Sequence, residues 1–211
     1  MRHLHFGKLF FVVFSLLLAC TVSARKPIKT LLITGQNNHN WQVSHVVLKQ
    51  ILENSGRFDV DFVISPEQGK DMSGFVLDFS PYQLVVLDYN GDSWPEETNR
   101  RFLEYVQNGG GVVIYHAADN AFSKWPEFNK ICALGGWEGR NENSGPYVYW
   151  KDGKLVKDSS AGPGGSHGRQ HEYVLNGRDK VHPVVKGLPL KWRHAKDELY
   201  DRMRGPGNIR D

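Results

Sequence analysis

Cysteine is nearly absent: the 211-residue chain has two, Cys20 and Cys132. Cys20 lies in an N-terminal apolar stretch that reads as a cleavable leader, so the mature protein would keep one thiol and no intramolecular disulfide. A hydrophobic core must then hold the fold, and a chain of this length can bury one, which makes a single domain the default. Long apolar runs are lacking too. Leu9 to Ala19 is too short to be a comfortable membrane span, so no stable membrane insertion is expected after processing. There is also no excess of charge of one sign. The formal charge is +3, and residues 1–24 carry Arg2 and Lys8 but no acid, so their removal leaves +1. A near-neutral chain argues against nucleic acid or an anionic membrane as partner, because both require a concentrated basic face.

The leader itself is well formed. Arg2 and Lys8 give a positive start, the apolar run follows, and Val22-Ser23-Ala24 fits a signal-peptidase site before Arg25. The expectation is a signal peptide over residues 1–24, a folded domain over residues 25–211, and a periplasmic or secreted protein. Leu17-Leu18-Ala19-Cys20 is the rival ending, since a cysteine after a small residue can be lipidated and anchored. Leucine directly before Ala19 fits that pattern imperfectly, so release is favoured.

What is present is an alternation of short apolar runs and helical patterns. Ile28 to Thr34 reads as a strand, followed by the polar loop Gly35 to Trp41, whose Asn40 can cap a helix. In the helix from Gln42 to Asn54, Val43, Val46, Val47 and Ile51 recur at helical spacing and predict a buried stripe. Phe58 to Ile64 and Leu84 to Asp88 are further strands, joined by a long connection with an apolar patch at Phe75 to Leu77. Ser93-Trp94-Pro95-Glu96 has the form of a capping box opening a helix lined by Phe102, Leu103 and Val106. Gly109 to Asp119 then ends that helix on three glycines, runs through Val112 to Tyr115, and delivers His116 onto two alanines. Such a short, uniformly apolar strand predicts a central parallel strand buried on both faces. A helix-like stretch follows near Phe122 to Leu134. The order predicts an α/β fold: a flavodoxin-like, doubly wound, mostly parallel sheet. With the first strand between the second and third, the loops at His39, Tyr89 and His116 open onto one crevice at the carboxyl ends of the strands.

Beyond Gly135 the texture changes to loops and a β-hairpin insertion. Tyr147 to Trp150 turns through Lys151-Asp152-Gly153 into Leu155-Val156. Ala161 to Gly168 is a glycine-rich loop without the lysine and hydroxyl of a phosphate loop. Glu172 to Leu175 reads as a strand, and His182-Pro183 begins an extended segment.

With His39-Asn40-Trp41, Gly109 to Ala118, Gly135-Gly136-Trp137, His167-Gly168, His182-Pro183 and Asp197 to Tyr200 in view, the chain resembles the ThuA-like family. That family is named for trehalose utilisation and has a fold similar to class I glutamine amidotransferases. The resemblance covers nearly everything after the leader. Its members usually continue past Asp-Glu-Leu-Tyr through at least one more strand, so both a complete and a C-terminally truncated domain stay open. The amidotransferase nucleophile is a cysteine on the turn that here carries His116. Cys132 instead lies in an apolar stretch beside Ile131 and Leu134, so glutamine hydrolysis is rejected.

Three readings compete for the histidines. As metal ligands, for zinc foremost, His39 and His116 could join His167 or His171, with Glu172 or Asp119 as oxygen donor. As acid-base groups, His116, Asp119 and His39 could move a proton on a sugar hydroxyl or beside a carbonyl. As structural residues they would only satisfy hydrogen bonds. Trp41 and Trp137 suit the apolar face of a sugar ring, while Asn90 and Arg140 can bond its rim. Asp197 and Glu198 are candidates for a wall of the site, and in an extended segment they would face opposite ways. The family context implies an exported protein of carbohydrate metabolism acting on a disaccharide, glycoside or keto-sugar. A non-catalytic sugar-binding module is the alternative. A small carbohydrate is the expected ligand, and a homodimer is an open expectation.

Overall fold

The computed structural model describes residues 26–207 and Ile209. The expected leader, Cys20 and the chain end at Asp211 lie outside the described residues. Strand β1 (Ile28–Thr34) has β2 (Phe58–Ile64) on one side and β3 (Leu84–Leu87) on the other. Strand β4 (Gly111–Ile114) lies beyond β3, and all pairings are parallel, in the order β2-β1-β3-β4. This is the doubly wound order expected. Consecutive residues Leu31, Leu32 and Ile33 are buried because β1 is covered on both faces.

The two faces have different covers. On one, Leu31, Ile33, Val85 and Leu87 pack under Phe102 of helix α2 (Glu96–Gln107), with Phe75, Leu77 and Phe79 from the long connection filling the same layer. Helix α3 (Pro126–Cys132) adds Phe128 to that layer and is shorter than the stretch expected. On the other face, Leu32, Val60 and Val86 pack against Leu48 and Leu52 of helix α1 (Trp41–Asn54).

Two expectations about packing are corrected. In α1, Val43, Val46, Val47 and Ile51 face outward, and His45, Leu48 and Leu52 face the sheet. The apolar surface of α1 is wider than one stripe, so its rotation is set by polar anchors. The Ser44 hydroxyl donates to Asp88 at the end of β3, and the Lys49 ammonium donates to the Val60 carbonyl on β2. Strand β4 is an edge strand among the described residues rather than a central one, and Val113 and Tyr115 are exposed. Neither expected cap forms: Asn40 and Pro95 are the N-cap residues of α1 and α2, and neither makes a side-chain cap bond.

After α3 the chain leaves the sheet. The hairpin forms as expected from β5 (Tyr147–Lys151) and β6 (Lys154–Asp158), with Asp152 and Gly153 both at positive φ in the turn. A two-residue strand β7 (Ser166–His167) pairs with β10 (Tyr200–Asp201), and β8 (His171–Asn176) pairs with β9 (Lys191–Asp197). His182-Pro183 does not begin an extended segment. The carbonyl of His182 accepts from the amides of Val185 and Lys186, closing a turn. No described helix is long and apolar enough to cross a membrane.

Candidate functional site

The parallel sheet places three loops at its carboxyl edge, where such sheets bind ligands. The loop after β1 carries Asn37, Asn38 and His39, the loop after β3 carries Asp88 and Asn90, and the turn after β4 carries His116. The later excursion returns over this edge with Trp137, His167 and Asp197 to Tyr200. His116 opens a 3-10 turn (His116–Asn120) at φ +48°, in the left-handed region that a branched-ring residue rarely adopts. Trp137 and Glu138 are also left-handed. Each such residue costs about 1–3 kcal/mol, and clustering of that strain at one edge marks a functional site.

Imidazoles from the first and third loops meet, with ring centroids of His39 and His116 4.4 Å apart. Tyr200 stacks on His116 at 5.0 Å, and its hydroxyl lies 3.3 Å from Nε2 of His116. Trp137 meets Tyr200 edge-on at 4.7 Å. Glu198 completes the group: one ligand atom from each of His39, His116 and Glu198 falls within 4.8 Å of the others. Nε2 of His167 is 3.9 Å from the Glu198 carboxylate.

This cluster stands between two cavities that share His39, Glu198 and Tyr200 as a wall. The inner one, about 230 Å³, is lined by the amides of Asn38, Asn90 and Asn120 and by Trp137. Asn90 donates to Asn38 at 3.2 Å, while the buried Oδ1 of Asn120 has no protein partner. The outer one, about 670 Å³, is lined by His116, Tyr115, Asp88, Asp197 and the stacked pair Tyr173 and His194, whose rings are 4.8 Å apart. A further cavity of about 500 Å³ between α2 and residues 78–83 sits at the opposite edge of the sheet, away from this cluster.

Burial and charge tune these groups. Burial, reinforced by His39, holds the His116 imidazole below its ordinary value, against the pull of Asp197, Glu198 and Asp88. Burial pushes the Asp88 carboxyl up, although Ser44 and Asn37 bond it. Asp119 is pushed up to about 7 by burial, with Arg140 opposing. Burial and the nearby acids Asp119, Glu198 and Asp197 raise the Tyr200 phenol.

The sequence candidates divide accordingly. His39, His116, Glu198, His167, Asn90 and Trp137 come together around the inner cavity and the cluster. Asp197 joins Glu198 on the outer cavity rather than facing away, because the chain bends after β9 and the Asp197 carboxylate accepts the Glu198 amide at 2.8 Å. His171 packs beside Tyr173, with Nδ1 2.9 Å from the Arg169 carbonyl, and Glu172 pairs with Arg193; neither residue reaches the cluster. Trp41 packs on His45 at the start of α1 and lines neither cavity. Arg140 is buried with its guanidinium on the carbonyls of Asn120, Gly136 and Ala121 and on Asn129 Oδ1, so it ties loops together rather than facing a ligand. Asp119 is turned from the cavities toward Arg140 and Cys132. Asp88 and Tyr200 were legible as a strand end and a motif member; Asn120, Tyr173 and His194 carried no sequence signal as site residues.

A sequence profile of the trehalose-utilisation family ThuA matches residues 29–210. The chain belongs to the ThuA family. It is 99% identical to a solved ThuA-like protein from Parabacteroides merdae ATCC 43184, with a TM-score of 0.86 over 88% of this chain and 67% of that one. A ThuA-like protein from Bacteroides uniformis ATCC 8492 shares the fold at 19% identity, with a TM-score of 0.51 over 84% of this chain and 62% of that one. No curated protein matches the chain.

Proposed function

We propose that this ThuA protein is an exported enzyme of carbohydrate metabolism that holds a divalent metal, zinc foremost, on His39, His116 and Glu198 and acts on a disaccharide, glycoside or keto-sugar. The observation that carries the reading is that cluster, seated as the wall between two ligand-sized cavities. Two imidazoles and a carboxylate are the donor set of open, catalytic zinc sites, which leave a position for water or substrate. When bound, the metal supplies Lewis-acid polarisation of a carbonyl or hydroxyl oxygen. The chain's own groups do the rest. Amides of Asn38, Asn90 and Asn120 bond sugar hydroxyls in a cavity the size of one ring, and Trp137 offers an aromatic edge or face beside them. The Tyr200 hydroxyl holds a proton against Nε2 of His116. The inner cavity's amide lining also favours a second reading, a sugar-binding module without turnover. Residues 1–24 would direct export, with lipidation at Cys20 as the alternative end.

The test is elemental analysis of the purified, zinc-loaded protein beside its His116→Ala variant. About one zinc per chain, lost in the variant, is expected. No metal in either protein refutes the metal assignment and leaves acid-base work by His116 or binding alone. Glucose and trehalose, tested as stabilisers of the same proteins, separate these, since a ligand selective for the folded state must raise its stability by mass action.

A further inference from the structure

Pairing register lines up Phe62, Leu32, Val86 and Val113 as one row across the sheet on the α1 face. Helix α1 covers the middle of the row, so Leu32 and Val86 are buried, while Phe62 and Val113 at the ends are 47% and 46% exposed. Ile64 and Tyr115, one step along, are exposed as well, and the outer side of α1 presents Val43, Val46, Val47 and Ile51. Strand β4 has no neighbour on its outer side among the described residues, although Gly-Val-Val-Ile is the sequence of an interior strand. A contiguous apolar face beside an unpaired apolar edge is the signature of a surface that is covered in the working molecule.

The length of its relatives says by what. This chain spans 67% and 62% of the two solved ThuA-like proteins. We propose that this face and edge seat a strand-then-helix unit from the part of a ThuA polypeptide that lies outside the residues described here. The strand pairs parallel with β4, and the helix lays an apolar stripe over Val113, Tyr115 and the exposed side of α1. The order follows from handedness. Helix α1 serves a crossover running from β1 to β2, and α2 serves one running the opposite way, from β3 to β4. A right-handed crossover continuing outward from β4 therefore falls on the α2 face, where α3 already packs. Only a helix that follows the added strand returns over the α1 face. Because Tyr115 also lines the outer cavity, the same unit walls that side of the site. The inference stands apart from the metal and sugar readings.

Thiol labelling tests it. Ile51→Cys and Val113→Cys are each placed in this chain and in the longer Parabacteroides merdae chain, both made without residues 1–24. The native Cys132 is a weak competitor, since burial pushes its thiol up to about 12. In the longer chain both new thiols should react at least about tenfold more slowly than in the shorter one, a closure worth about 1.4 kcal/mol. Equal rates overturn the proposal. Protection in the shorter chain that grows with protein concentration also overturns it, because a second copy is then the occupant. Val47→Cys, on the exposed side of α1, gives the same readout if Val113→Cys does not fold.

Discussion

Replacing Asp119 with Asn should stabilise the protein at alkaline pH and leave it nearly unchanged in acid. Asp119 sits in the 3-10 turn after β4 with its Oδ1 buried and unpartnered, facing Arg140, Cys132 and Tyr200. Burial raises its carboxyl from 3.8 to about 7, with Arg140 offsetting part of the cost. The sign follows from proton counting. Below 3.8 the carboxyl is protonated folded and unfolded, and contributes nothing. Between 3.8 and about 7 the unfolded chain releases a proton that the folded chain keeps, so stability falls as pH rises; above about 7 the loss is complete. The full interval corresponds to about 4 kcal/mol at about 1.4 kcal/mol per pH unit, and residual solvent contact brings a realistic loss to about 2 kcal/mol. Asn keeps the shape of the protonated acid and cannot ionise. Urea unfolding of both proteins at pH 5 and pH 8.5 measures the effect as the change in their difference. A difference that is the same at both pH values refutes the reasoning, because it assigns the substitution to packing and not to charge.

Arg140→Met should cost at least about 3 kcal/mol in urea unfolding, since it strips four acceptors of their donor, and Arg140→Lys should not restore it because one ammonium cannot replace the planar fork. Trp137→Ala should weaken binding of a monosaccharide to the inner cavity by about tenfold, read by calorimetric titration, as expected for loss of a buried aromatic contact. Unchanged affinity would remove Trp137 from the ligand's surroundings.

Much of the fold was legible because its signals are local. Apolar runs at Ile28 to Thr34 and Leu84 to Leu87 can only be covered strands, and Asp152-Gly153 turns a hairpin whatever surrounds it. His39 and His116 were legible as partners because both follow strands of one parallel sheet, and such loops share an edge. Helix caps were misread, since Asn40 and Ser93 offer the right side chains but the backbone that enters each helix does not aim them at its amides. The facing of Asp197 and Glu198 was misread for a related reason. Alternation along a strand holds only while the strand lasts, and the chain bends between β9 and β10.

By itself, the sequence determined the order of elements, the parallel sheet and the edge on which a site must lie, because each follows from periodicity, turn chemistry and the handedness of crossovers. Tertiary structure alone decided the rotation of α1, which two polar anchors fix against a wide apolar surface that would bury equally well in either direction. It also decided that Glu198 joins His39 and His116 while Asp119 and Arg140 turn inward. Side chains so distant in the chain meet only through the return of the late loops over the sheet, and no local pattern records that path.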